Sequence, residues 1–397
     1  MTVLEQTIET SSFAVPAEAL KITSDRIDAH IKTIQNHPDK RDGAFPYYLF
    51  HPPGKKIHGT VMLFHGFSAR PHQMWRLADY LFTNGFNVYQ CTIAGHSYVN
   101  PEDNWPQVDL KSDIREPLST KVKKDPVLSR FFQNLKNPDS QTAATPSPLQ
   151  MLSLVRRLRR LDSKVVDMIL AVERSNDPDF DRYYDSNHMD YLKDAEERLA
   201  ELEAMPGPIY TLGLSVGGAV ALALAAANPA RIKKVVAYAP LLEVWGETRE
   251  RYVNIAGPLD IKEFGWDDLR FPLGCFTASN RFGAFVRQRQ NEKVLEKTPT
   301  LMILTENEDA ADIKTNQKFS KSLGRERNGH FLYTYPADDL VPHPMVDPLE
   351  VSQNMSNAFW QTMYQETFRF LALDSFNSDQ MESTNQDLNL PIVSDIA

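Results

Sequence analysis

The sequence predicts an α/β protein with a doubly wound, mostly parallel sheet into which helical lid segments are inserted. Three observations predict it. Short apolar runs alternate with segments of helical period. The connections between them are short, as at Asn84-Gly85, which is the signature of a sheet wound by crossover helices. The most apolar stretch, Leu212–Ala227, is 16 residues long, against the ~20 needed to span a bilayer. It carries Ser215, Gly217 and Gly218 near its start and reads as a strand, a sharp turn and a buried helix.

In chain order, residues 1–43 are a polar lead-in with a helix expected over Ser24–Ile34. The main domain spans 44–373. Strand runs at 47–50 and 59–64 flank the turn Pro52-Pro53-Gly54. A helix is expected over His72–Thr83, with Met74, Leu77, Ala78 and Leu81 on one face and Gly85 just past its end. A strand over Phe86–Ile93 follows. The alternation breaks at about 98–185, where one long helix is expected over 149–174, and resumes with a helix at Asp190–Met205. Strand Pro208–Leu214, helix Gly217–Asn228 and strand Lys234–Ala239 come next. After a second break at about 242–297 come strand Thr300–Leu304, helix Ile313–Leu323, strand His330–Tyr335 and a last helix over Glu350–Leu371. Residues 374–397 hold five acids and no Lys or Arg, and are expected to be a disordered tail.

Composition excludes several classes. Of 397 residues, 42% are hydrophobic and 24% charged, which suits a globular chain and excludes fibrous or low-complexity readings. The formal net charge of −9 argues against a protein that coats nucleic acid. Cys91 and Cys275 can form at most one bridge, so this is no disulfide scaffold. The first 20 residues carry three glutamates and no signal-like apolar run, so the expected location is cytoplasmic. GxxxxGK[ST], HExxH and paired CxxC motifs are absent, and neither a metal nor a cofactor is expected.

The strongest chemical signal is Gly213-Leu214-Ser215-Val216-Gly217-Gly218, a G-x-S-x-G pattern placed between strand and helix. A nucleophile on such a turn needs neighbours without bulk two residues to either side, which Gly213 and Gly217 supply. The helix beginning beyond Ser215 brings its positive dipole end to the site. A buried small-residue turn is the plainer alternative.

On this motif the sequence resembles the α/β-hydrolase superfamily, and within it monoacylglycerol lipases and lysophospholipases. The resemblance covers most of 45–371 outside the two insertions. It implies oxyanion donors at the backbone N–H of Val216 and of Phe67, the latter following His65-Gly66 at a strand end. It implies an acid after strand 300–304, in the loop Thr305-Glu306-Asn307-Glu308-Asp309-Ala310-Ala311-Asp312. Thr305 departs from the glycine of the family pattern. Asp309 is favoured, with Glu308 next, then Asp312, and Glu243 after the preceding strand as another alternative. The base implied is His343, between Pro342 and Pro344, since His330 lies at the wrong end of its strand. The order Ser215, Asp309, His343 matches that of these hydrolases. Gly95-His96-Ser97 could line the site, and Cys91 reads as a core residue.

The insertions occupy lid positions. Residues 111–164 hold 12 Lys/Arg and 5 Asp/Glu, and Arg156-Arg157-Leu158-Arg159-Arg160 lies on an amphipathic helix. Such a helix suits peripheral contact with an anionic membrane, or packing on the acidic body. The second insertion carries Trp245, Tyr252, Phe264, Trp266, Phe271, Phe276, Phe282 and Phe285, either an acyl-pocket wall or its own small core. The leading expectation is a serine hydrolase of a lipid-like carboxylic ester. The alternatives are an esterase, thioesterase or amidase on a small soluble substrate, and a non-catalytic binding protein on the same fold.

Overall fold

The computed structural model describes residues 12–135, 147–174, 177–259, 264–266 and 269–383. Seven strands form the main sheet: β1 Tyr47–Leu49, β2 Gly59–Phe64, β3 Phe86–Cys91, β4 Ile209–Leu214, β5 Ile232–Tyr238, β6 Thr300–Thr305 and β7 His330–Tyr335. Their order is β7-β6-β5-β4-β2-β3-β1, and every pairing is parallel except β1 with β3. Strands β2, β3, β4 and β6 are buried at every position, as a parallel sheet covered on both faces requires.

Alternate residues feed two cores. Val61, Leu63, Val88, Leu212, Val236 and Ile303 face helix α2 (Trp75–Thr83) and the last helix (Trp360–Leu373). Met62, Phe64, Tyr89, Ala237, Met302 and Leu304 face the opposite core. That second core takes in the Val216–Ala227 helix and extends without a break into both insertions, through Leu154, Leu158, Met168, Val253, Ala278 and Phe282. The inserted residues thus share the main core, which separates Phe282 from any independent cluster.

Three elements differ from expectation for identifiable reasons. The lead-in is not loose: helix α1, Ala17–Gln35, has 19 residues and buries Ile27 and Ile34. The helix expected over 149–174 is two, Pro148–Leu161 and Val165–Glu173, because Asp162 turns its carboxylate onto the N–H of Lys164 and ends the first. The last helix starts at Trp360, not Glu350; Gln353 and Asn354 take left-handed φ of 51° and 62°, and Asn357 accepts the N–H of Phe359 just before the helix. Past the last helix, Met381 is buried and Glu382 accepts from Tyr333, so residues 374–383 pack on the body, while 384–397 lie outside the described residues.

Candidate active site

Because β2, β4, β6 and β7 run parallel, their C-terminal ends lie along one edge of the sheet. The loops leaving that edge carry His65, Ser215, Glu308 and His343.

Ser215 joins β4 directly to the Val216–Ala227 helix with φ 57° and ψ −121°, a conformation that L-residues rarely adopt. Its N–H donates to Tyr238 O at 2.9 Å, and its carbonyl accepts from Leu241 N at 2.9 Å, so the end of β5 and the loop after it hold the turn on both sides. The glycines are required by contact. A Cβ on Gly213 would lie 2.1 Å from Gly217 O, and one on Gly217 would lie 2.2 Å from Phe64 O and 2.4 Å from His65 O. Val216 is the first residue of its helix, so its N–H has no intrahelical acceptor and sits at the positive end of the dipole.

The loop after β2 is set by His65. This buried ring accepts the N–H of Ile93 at Nε2 (3.2 Å), so its proton sits on Nδ1, 2.8 Å from the carbonyl of Gly66, to which it donates. Burial lowers its pKa to about 4 against the pull of that carbonyl, with Arg41 adding to the lowering, and the ring is neutral as this pattern needs. The peptide group is planar, so fixing the Gly66 carbonyl also fixes the direction of the Phe67 N–H. Arg41 donates to Ser68 O at 2.8 Å and Ala69 O at 3.1 Å, which clamps the turn just beyond. A Cβ on Gly66 would lie 3.6 Å from Ser215 Cβ, so this loop runs beside the serine.

Among the four carboxylates expected as possible acids, only Glu308 meets the histidine: His343 Nδ1 lies 2.7 Å from Glu308 Oε1. The same oxygen accepts the N–H groups of Asp309 (3.1 Å), Ala310 (2.9 Å) and Ala311 (2.9 Å). Asp309, the favoured position, instead accepts from Gln353 Nε2 at 2.7 Å, and its carbonyl accepts from Arg249. Asp312 caps the following helix by accepting Thr315 N, and Glu243 pairs with Arg287 at 2.9 Å. The physical reason lies in the turn: three consecutive N–H groups converge on the Glu308 side chain and direct it inward, while Asp309 is carried outward. Thr305, standing where glycine was expected, donates to Val341 O and accepts Asn307 N, tying the acid loop to the His343 loop. Burial opposes charge on His343, but Glu308, by its charge and its hydrogen bond, with Asp309 and Glu350 adding, raises the ring above its ordinary pKa. His330 lies at the other end of β7, against Glu296 O.

An aromatic group surrounds Phe67. Its ring stacks on Phe276 at 4.6 Å and meets Phe271, Trp105 and His96 edge-on at 5.0, 5.2 and 5.6 Å. Phe271 and Phe276 come from the second insertion, so two of its aromatic residues pack directly on Phe67. Phe282 stacks with Phe285 inside the shared core, Trp245 is exposed, and the side chains of Tyr252, Phe264 and Trp266 lie outside the described residues. His96 is buried, stacked on Trp105 at 3.6 Å and bonded through Nδ1 to Ala94 O at 2.9 Å. Cys91 is buried in β3, as read. Sequence reasoning missed Arg41 and Gln73; the first sits in the supposed lead-in, and the second carries no motif.

The sheet order, the antiparallel first strand and the strand–serine–helix turn have together the architecture of the α/β-hydrolase fold. No protein-family profile and no curated protein matches the sequence. Among solved structures, the chain is similar to one described with two metagenome-derived lipolytic enzymes, at 14% identity and a TM-score of 0.48, over 83% of this chain and 98% of the other. It is also similar to a soluble variant of monoglyceride lipase from Saccharomyces cerevisiae in complex with a substrate analogue, at 14% identity and a TM-score of 0.45, over 86% and 98%. A carboxylesterase from Bacillus subtilis matches at 12% identity and a TM-score of 0.35, over 89% and 99%.

Proposed function

We propose that this chain is a serine hydrolase that cleaves a carboxylic ester through an acyl-enzyme. The observation that carries the reading is the 2.7 Å contact of His343 Nδ1 with Glu308 Oε1 at the sheet edge where Ser215 sits on its strained turn. With Nδ1–H held by Glu308, Nε2 of His343 is the free base. It takes the proton from Ser215 Oγ as that oxygen attacks the ester carbonyl. The tetrahedral oxyanion is met by the N–H groups of Phe67 and Val216, each worth ~2.7–4 kcal/mol in the transition state. Collapse expels the alkoxide, which leaves as the alcohol with the proton from His343. Water, deprotonated by His343, then attacks the acyl-Ser215 ester and releases the acid and Ser215. Glu308 orients the ring and stabilises the imidazolium throughout. These steps need no metal or cofactor.

A lipid-like acyl group is the substrate the surroundings favour. The Phe67, Phe271 and Phe276 cluster offers an apolar wall beside the expected oxyanion donor. In the basic insertion Arg156, Arg159 and Arg160 are exposed, Arg157 pairs with Asp125 at 3.2 Å, and Val127, Leu149 and Leu152 expose large apolar side chains. That combination suits peripheral docking on an anionic lipid surface. Among the described residues no helix is long and apolar enough to cross a membrane.

A fluorophosphonate probe tests the chemistry: Ser215 is labelled, and Ser215→Ala is not. An unlabelled wild type contradicts the hydrolase reading and favours a binding protein. A chain-length series from p-nitrophenyl butyrate to palmitate, with and without phosphatidylglycerol vesicles, tests the lipid preference. Flat or falling activity with chain length, and no gain from vesicles, returns the substrate to a small soluble ester.

A further inference from the structure

The Glu308–His343 pair is not the only carboxylate contact in this site. Gly66 N donates to Gln73 Oε1 at 2.7 Å. That bond fixes which way the Gln73 amide faces, because only its oxygen can accept. The amide nitrogen is thereby aimed at Glu350, where it donates to both carboxylate oxygens at 3.0 Å. Gln73 lies in the 3-10 turn ahead of α2, and Glu350 in the irregular segment that follows His343. Three residues along on each side, Arg76 Nε meets Asp347 Oδ1 at 3.3 Å, so two neighbouring ties join the start of α2 and the turn before it to this segment.

We infer that Gln73 and Glu350 form a positioning tie that holds the Gly66 backbone, and through it the Phe67 N–H, in register with the His343 loop. The inference rests on the hydrolase reading above, since it assigns the tie to the expected oxyanion donor. Three anchors then fix that donor. His65 holds the Gly66 carbonyl, Arg41 holds the Ser68 and Ala69 carbonyls, and Gln73 holds the Gly66 N–H. The third anchor alone reaches across to the segment following His343, so it sets the distance between oxyanion donor and base. Gln73 also closes on the serine side: a Cβ on Gly66 would lie 3.1 Å from Gln73 Oε1. Burial, with Asp347 adding to it and Gln73 and His343 opposing it, raises Glu350 to about 7, as expected of a carboxyl drawn partly out of solvent against this segment. Neither residue touches the reacting atoms in the proposed mechanism; both act through the backbone of Gly66, whose N–H Gln73 holds and whose carbonyl shares a peptide with the Phe67 N–H.

The test is steady-state kinetics on p-nitrophenyl butyrate for Gln73→Leu, Glu350→Ala, Glu350→Gln and the double variant Gln73→Leu/Glu350→Ala, with thermal melting of each. The expected result for Gln73→Leu is a fall in kcat of about tenfold or more with KM little changed, below the 10²–10³ loss of a whole oxyanion donor. Affinity for a trifluoromethyl ketone, which forms an oxyanion on the serine, falls in parallel. Glu350→Gln, which keeps an acceptor for the Gln73 amide, recovers most of what Glu350→Ala loses. The double variant is no worse than the poorer single one, because the two residues act as a unit. Wild-type kcat in folded Gln73→Leu, or losses seen only in KM and melting temperature, overturns the tie and leaves the hydrolase reading standing. A wild type with no Ser215-dependent turnover overturns both.

Discussion

The turn after β4 and the loop after β6 solve different problems, and the difference explains why one was legible in sequence and the other was not. At Ser215 the constraint is steric. The strand must become a helix within one residue, and backbone oxygens sit about where Cβ atoms of Gly213 and Gly217 would be, at 2.1 and 2.2 Å. Only glycine satisfies that, so the constraint is written in residue types. At the acid loop the constraint is one of hydrogen-bond direction. Glu306, Glu308, Asp309 and Asp312 are all carboxylates of the right chemistry within seven residues. What separates them is which backbone N–H groups each collects: three on Glu308 Oε1, one from Thr315 on Asp312, and one from Ala337 on Glu306. A turn of this kind leaves no residue-type signature.

Breaking the steric side has the largest effect. Gly217→Val forces its side chain into the carbonyls of Phe64 and His65, and the expected outcome is failure to give soluble, folded protein, read by expression and circular dichroism. Soluble, native-like Gly217→Val would mean the elbow is looser than the contacts imply.

The electrostatic side is sharpened by the pH profile. In the proposed mechanism His343 must be neutral to act as base, and Glu308 raises its pKa above the ordinary 6.5, so the expected kcat/KM falls as pH drops through a value above 6.5. Removing the Glu308 charge lowers the histidine pKa, so the residual activity of Glu308→Gln has its acid limb moved to lower pH. An unmoved limb would separate Glu308 from His343 in solution.

The smallest effect belongs to the carboxylate with a purely local task. Asp312→Ala removes the cap of the Ile313–Leu323 helix and should cost about 1 kcal/mol of unfolding free energy with activity retained. A large loss of kcat/KM without loss of stability would return Asp312 to the list of acids.

Elsewhere, legibility followed the same division. Strands β6 and β7 and helix Ile313–Leu323 appear where apolar period and flanking turns placed them, because burial alone decides them. His343 lies after the last strand, where the sequence puts it, and meets Glu308 there. The sequence pattern starts the last helix ten residues early because the segment to Trp360 is set by positive-φ turns at Gln353 and Asn354 and by the Asn357 side chain, none of which has a period. That misplacement hid Glu350, whose partner across the site is a glutamine without a motif. Arg41 escaped notice for a related reason: its value lies in two carbonyls of a loop 27 and 28 residues away.

The most direct test of the site is kcat/KM on p-nitrophenyl butyrate for Glu308→Gln beside Asp309→Asn, at a pH above the acid limb. The expected result is a loss on the order of 10³–10⁴ for Glu308→Gln, the size seen when the acid of a Ser-His-Asp triad is replaced by its amide, and no more than about fivefold for Asp309→Asn. Equal losses, or the larger loss at Asp309, would contradict the placement of Glu308 as the partner of His343.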